Sequence, residues 1–349
     1  MDGAFALLVG FAGGTAFYYL HIPLPWTLGS LFATAVMAVC GGRWFLPAPV
    51  RHFARPVVGF LAGSAFTPQV LASIADWWGP VLFVMAYSFL ITFIGWLFFT
   101  RVCKYDNATA FFSSAPGGLG ELTLLGASLG GNMRVLVLVQ SVRVVTVIFA
   151  VPFGLGLLTH QDLSGAQLPT TFTGALSLAD WGIFAACAVG GYILGRTFAI
   201  PGGIMIAALI LSATAHALGI TEARPPFWLV ALVQVVIGTI AGARFVGVGW
   251  NEAKTTLVQA VGWAFVMLGS AVAVAGLAAH IFEQPFPGLV LAIAPGGMAE
   301  MTLMTYALGI EVAFVVTCQV IRIFVVLMFA PLLFKLFDRS EGPRPDGLA

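Results

Sequence analysis

The ten residues APGGLGELTL at Ala115–Leu124 return as APGGMAEMTL at Ala294–Leu303, 179 positions later. Aligned without a gap from Ala115 to Pro152 against Ala294 to Pro331, 14 of 38 positions are identical, including Glu121/Glu300, Thr123/Thr302, Gln140/Gln319, Arg143/Arg322 and Pro152/Pro331. The same spacing, to within one residue, pairs Ile22-Pro23 with Ile200-Pro201 and the GxxxG of Gly59 and Gly63 with that of Gly238 and Gly242. Any fold for this chain must therefore be assembled from two copies of one unit. The copies are expected over residues 1–158 and 178–337, with a polar linker at 159–177 and a polar tail at 338–349.

What each copy is made of narrows the choice further. Of the 349 residues 60% are apolar and 8% are charged, where a soluble chain carries roughly 25% charged residues to cover its surface. The apolar residues run in stretches of about 20, enough to cross a bilayer as helix. The expected class is an all-α polytopic membrane protein with the lipid bilayer as its solvent. The N-terminal stretch lacks a positive leader and a clear small-residue cleavage site, so it reads as a first span and not a removable signal. Fifteen Lys plus Arg against fourteen Asp plus Glu leave a net charge of +1 with no basic stripe, which excludes a nucleic-acid partner. Cys40, Cys103, Cys187 and Cys318 show no CxxC, and the five histidines show no HxxxH or HExxH, so no metal, cofactor or enzyme activity is expected.

Each copy holds five spans and the APGG segment. The spans are expected near 4–20, 26–41, 56–75, 79–100 and 135–158, then 181–198, 204–218, 227–243, 257–281 and 312–334. The APGG segments, 107–130 and 288–308, either cross or turn back. If both cross, the halves are parallel, and Arg134, Arg196, Arg244 and Lys254 lie outside. If both are re-entrant hairpins, the halves are inverted, twelve Lys/Arg lie inside and only Arg224 outside. Positive residues concentrate on the cytoplasmic side, which favours two inverted repeats of five transmembrane helices, each with a broken or re-entrant APGG hairpin. Both termini are then cytoplasmic.

Proline followed by two glycines, Pro116-Gly117-Gly118 and Pro295-Gly296-Gly297, should break each helix and expose unpaired backbone groups. Such backbone survives at membrane depth only inside protein or along a wet cavity. In an inverted pair the two tips meet near the midplane, where secondary transporters keep their sites. Glu121 and Glu300 follow the breaks in the first turn of each second arm, where a carboxylate is favoured. They read as proton carriers, cation ligands or arginine partners. Arg143 and Arg322 each lie three residues after a glutamine, Gln140 or Gln319, on one helical face. They either grip an anionic substrate or hold the two glutamates in permanent salt bridges. The more apolar surroundings of Arg322 make it the expected main anion contact, with Arg143 more structural. Ser113, Ser114, Thr123 and Thr302, with freed carbonyls, could ligate sodium, though such hydroxyls commonly bond back to their own helix. The GxxxG pairs permit close crossing, within the chain or across a homodimer seam.

The opening LLVGFAGGTAFYYLHIPLPWTLGSL, echoed by AVGGYILGRTFAIPGGIMIAAL, and the two APGG(L/M)xE(L/M)TL cores resemble the AbrB family of bacterial inner-membrane proteins. The resemblance covers essentially the whole chain and implies a multi-pass inner-membrane transporter. Members also carry regulator and ammonia monooxygenase labels, and this chain has neither a DNA-binding segment nor a metal-ligand cluster to match them. The opening is also similar to the first helix pair of cation/proton antiporter-like carriers, a likeness at the level of fold. Together these readings predict a secondary carrier of a small, anionic solute coupled to protons or sodium. The alternative is a membrane sensor or regulator that binds the solute without moving it.

Overall fold

In a computed structural model of the chain, residues 3–44, 46–159, 177–198, 202–247 and 250–338 are described. The linker and the tail expected from the sequence fall almost wholly outside them. All regular structure among the described residues is helical. The first half runs α1 (Gly3–Tyr19), α2 (Pro25–Val39), α3 (Ala48–Gly63), α4 (Pro68–Ser73), α5 (Trp78–Arg101), α6 (Asn107–Ser114), α7 (Leu119–Ser128) and α8 (Met133–Thr159). The second runs α9 (Leu178–Thr197), α10 (Gly203–Ala217), α11 (Phe227–Gly242), α12 (Trp250–Phe282), α13 (Phe286–Ile293), α14 (Met298–Ala307) and α15 (Val312–Asp338). Six helical stretches are long and apolar enough to cross a bilayer: Pro68–Arg101, Met133–Leu158, Leu178–Thr197, Phe227–Phe245, Lys254–Phe282 and Val312–Lys335. Apolar side chains such as Val189, Ile193, Phe265 and Leu277 stand exposed on α9 and α12, which suits a surface facing lipid and not water. The chain is a polytopic helical membrane protein.

The third span differs from its sequence reading. Residues 56–75 were expected to cross as one helix starting at Pro56, but α3 begins at Ala48 and carries Pro56 inside. It stops at Gly63, and α4 restarts from Thr67, whose side chain accepts from the Val70 N–H. A proline is tolerated inside a helix that neighbours support, so it is an unreliable start signal here. A 3-10 turn, Ile74–Trp77, then leads into α5.

Small residues set how these helices meet. Gly10 of α1 faces Ser30 of α2 while Gly14 faces Trp26, so α1 and α2 run antiparallel. Gly191 against Ala208 and Gly195 against Ile204 give the same relation between α9 and α10. The GxxxG glycines, by contrast, join the two halves. Gly59 abuts Ala208 and Gly63 abuts Ser212, so α3 and α10 run in the same direction. Gly238 abuts Thr27 and Ser30, and Gly242 abuts Thr34 and Ala35, so α11 and α2 also run in the same direction. Both GxxxG pairs are thus spent on contacts within the chain. The main apolar cluster also draws on both halves, including Leu28, Leu31, Val57, Leu61, Val233, Val236, Trp263 and Val315.

Candidate functional site at two broken helices

Asp106 starts α6 by accepting the Thr109 N–H at 2.8 Å. The helix then stops after eight residues, because Pro116 lacks a donor and pushes Ala115 to an extended conformation, φ −65°, ψ 126°. Ala294, before Pro295, does the same at the end of α13, with φ −53°, ψ 134°. A helix end leaves its last carbonyls without intrahelical donors. In a buried site those oxygens need partners, and the long helices α8 and α15 supply them.

At the first break Gln140 Nε2 donates to Phe112 O at 2.6 Å, and Arg143 donates from Nη1 to Ala115 O at 2.8 Å and from Nη2 to Gly117 O at 3.3 Å. At the second, Gln319 Nε2 donates to Leu291 O at 2.8 Å. Arg322 Nη1 faces Ala292, Ile293 and Ala294 carbonyls at 3.3, 3.0 and 3.0 Å, and its Nη2 donates to Gln319 Oε1. At the 179-residue spacing the Gln140–Phe112 and Arg143–Ala115 bonds recur as Gln319–Leu291 and Arg322–Ala294, while the contacts to Gly117, Ala292, Ile293 and Gln319 Oε1 have no counterpart. Each arginine caps the C-terminal end of a broken helix with its planar fork. Neither glutamate is among the hydrogen-bond partners of Arg143 or Arg322. Both arginines are equally enclosed, each 1% exposed, so the expected contrast in dryness is absent, and Arg322 is the more fully engaged of the two.

Beyond each break the second arm starts at a glycine, Gly118 for α7 and Gly297 for α14, with φ −61° and −75°. These are conformations any residue adopts, so the glycines are needed for room. A Cβ at Gly297 would lie 2.8 Å from Glu300 Cδ, and one at Gly118 would lie 3.2 Å from Glu121 Cδ. Both carboxylates fold back over the first residues of their own helix, where the N-terminal dipole stabilises them. Gly117 and Gly296 leave room in the same way for Leu122 and Met301, whose Cδ1 and Cγ would come within 2.6 and 2.8 Å of a Cβ there. Glu300 is buried, and Glu121 is half-buried. Pro116 and Pro295 are buried beside them.

The expected hydroxyls divide. Ser114 donates to Phe111 O at 2.7 Å and Thr302 to Met298 O at 2.8 Å, each within its own helix. Thr123 is buried. Ser113 is fully buried and its Oγ has no partner, and the same holds for Gln140 Oε1 and Ser141 Oγ on α8.

Two residues of the site were not expected from the sequence. Arg244, on a 3-10 turn (Ala243–Phe245) after α11, lies within Coulombic reach of both Arg143 and Glu300. Tyr87 of α5 lies within such reach of Arg322 and bonds Met267 O and Ser270 Oγ at 3.1 and 2.8 Å. Arg143 and Arg322 are themselves within Coulombic reach of each other. The breaks of the two halves are therefore linked electrostatically through Arg143, Arg322, Arg244 and Glu300, while Glu121 stands beside Gly118 at the first break. The signal for Arg244 was its place directly after the GxxxG of α11; its counterpart in the first half is Ala65.

Among known proteins, the chain is 26% identical to "Uncharacterized protein YhjN" of Bacillus subtilis (strain 168), over 97% of this chain and 94% of that protein. It is 21% identical to "Putative regulator AbrB" of Escherichia coli (strain K12), over 94% of each. No solved structure matches it. The family described as "Transition state regulatory protein AbrB" matches residues 4–338, nearly the whole length, and the chain belongs to that family of helical membrane proteins.

Proposed function

We propose that this protein is a secondary carrier of a small anionic solute, built from two inverted halves whose APGG segments are re-entrant hairpins meeting inside the bacterial inner membrane. The observation that carries the reading is the linked site at the two breaks, where Arg143, Arg322 and Arg244, buried or half-buried, gather with the buried Glu300. The guanidinium groups of that site outnumber its carboxylates, and charge inside a membrane is too costly to keep without use. Inversion is supported by the direction of packing. Successive spans α2 and α3 run opposite ways, and α11, the counterpart of α3, runs with α2. Parallel halves would instead set α11 against α2.

Coupling follows from where the glutamates sit. An ionised Glu300 occupies the N-terminus of α14 and opposes Arg244, both of which would otherwise attract an anion. Protonating it releases both, so proton and anion bind together and favour symport. Sodium is the alternative coupling ion; two of the hydroxyls that would ligate it, on Ser114 and Thr302, are engaged with their own helices. The second reading is a sensor that binds the solute without transport, favoured by "regulatory protein" in the family's description and "regulator" in the name of the Escherichia coli relative. Melting of the purified protein across organic anions, with and without sodium, identifies a ligand, and its uptake into proteoliposomes under a pH or sodium gradient separates the readings. Accumulation against its gradient supports the carrier. A ligand that stabilises the protein and never accumulates refutes it in favour of the sensor.

A further inference from the structure

Arg143 and Arg322 were the expected anion contacts, but their forks are already engaged. Turning either toward a solute would uncap α6 or α13 and leave buried carbonyls unpaired, which is costly in the absence of water. Arg244 stands differently. Arg143 and Arg322 each leave only Nε without a partner, whereas in Arg244 the unpartnered, enclosed nitrogen is a terminal Nη1, and it projects from a turn packed against the scaffold. Gly242, just before it, is pressed against Thr34 and Ala35 of α2, while Ala243, Phe245 and Val246 pack on Ala6, Ala38 and Trp44. The turn touches α8, which carries Arg143, and α14, which carries Glu300, touches both α8 and α11. A positioned guanidinium with an enclosed, unpaired nitrogen beside a second cation is a receptor for an anion's oxygens. It is also the one charged member of the site with no counterpart in the other half, where Ala65 stands.

We propose that Arg244 holds the anionic group of the solute, and that this group is a single carboxylate, received by one unsymmetrical grip while Arg143 and Arg322 serve as helix caps. One planar fork matches one two-oxygen group. The inference rests on the carrier reading for its purpose, but it concerns binding and is tested by binding.

The test uses the full-length protein in detergent, with sodium acetate, sodium benzoate and inorganic phosphate as probes and sodium chloride at matched ionic strength as the reference. Wild-type protein is expected to melt higher in acetate or benzoate than in chloride. Arg244→Gln should lose that response, with the half-effect concentration rising about tenfold or more, while its melting temperature in chloride falls less than that of Arg143→Gln, because no protein hydrogen bond to Nη1 is lost and the lost attraction to Glu300 is offset by relief of the repulsion with Arg143. Arg244→Lys, which keeps the charge without the fork, should respond with weakened affinity. Arg143→Gln should instead melt lower in chloride. A wild-type carboxylate response in Arg244→Gln overturns the proposal, as does a fall in its chloride melting temperature as large as that of Arg143→Gln. A response to phosphate but to neither carboxylate overturns the assignment of the anionic group. Uptake by Arg244→Gln proteoliposomes at the wild-type rate sinks the inference and leaves the carrier standing. Carboxylate binding through Arg244 with no uptake by wild type sinks the carrier and leaves the inference.

Discussion

Replacing Gly297 by alanine tests why the second arm begins with glycine. The backbone there, φ −75° and ψ 146°, suits alanine, so the substitution by itself should stabilise by about 0.4–1 kcal/mol through the unfolded chain. The new methyl, however, would lie 2.8 Å from Glu300 Cδ, where ordinary contact begins near 3.4 Å. The carboxylate must retreat by about 0.6 Å or more and loses part of its interaction with the α14 N-terminus, which reaches about 2 kcal/mol in partly buried settings. The net expectation is a loss of roughly 1 kcal/mol in the wild-type background. In a Glu300→Ala background the obstacle is gone, and the same Gly297→Ala change should stabilise by about 0.4–1 kcal/mol. Reversible unfolding in mixed micelles, applied as a double-mutant cycle, reads this sign change directly. A Gly297→Ala effect that is equal in both backgrounds would refute the placement of the carboxylate over the helix start. Gly118→Ala should show the same pattern more weakly, since its methyl would stand 3.2 Å from Glu121 Cδ.

Lysine at the two capping arginines separates their engagement. Arg322 serves three carbonyls and Gln319, whereas Arg143 serves two carbonyls, so Arg322→Lys should cost more stability than Arg143→Lys, by about 1–3 kcal/mol for each additional orphaned acceptor. Equal melting temperatures for the two variants would contradict this capping account. At the junction of the halves, a Cβ at Gly63 would come within 2.5 Å of Ser212 Cβ and 2.7 Å of Ala213 N. Gly63→Val should therefore force α3 from α10 at a cost of about 1–3 kcal/mol or more, seen as a lower melting temperature, and an unchanged one would refute the tight crossing.

Much of the architecture was legible because the duplication repeats its own punctuation. The breaks at Pro116 and Pro295, the paired GxxxG crossings and the long final helices all follow from residues whose effects are local. The third span was misplaced because Pro56 imitates a helix start; the stronger guide was the second copy, where 227–243 shifted by 179 gives 48–64. At the breaks the sequence named the long-helix residues that bond the freed carbonyls but not those bonds themselves, and it missed Arg244 and Tyr87. Gln140 and Arg143 do share a face, as their spacing requires, and both reach α6. Yet the sequence reading weighed only an anion or a glutamate as the arginine's partner, although the carbonyls freed by Pro116 were predicted too. Which of several buried acceptors a long side chain meets depends on how helices pack, and spacing along one helix carries no such information. Arg244 was counted as a loop charge for the same reason, since its neighbours Arg143 and Glu300 lie far away in sequence.

The carrier reading of the site depends on the two breaks entering the membrane from opposite faces. Asn132 and Glu311, equivalent residues just beyond α7 and α14, are both exposed and report the two faces. The measurement is labelling of Asn132→Cys and Glu311→Cys in intact cells by a membrane-impermeant maleimide, with Cys40 and Cys103 replaced by serine so that the accessible native thiols are silent. Inverted halves predict that position 311 is labelled from outside and position 132 only after the membrane is opened. Labelling of both positions from the same side would mean parallel halves with both APGG segments crossing, and would contradict the inverted carrier.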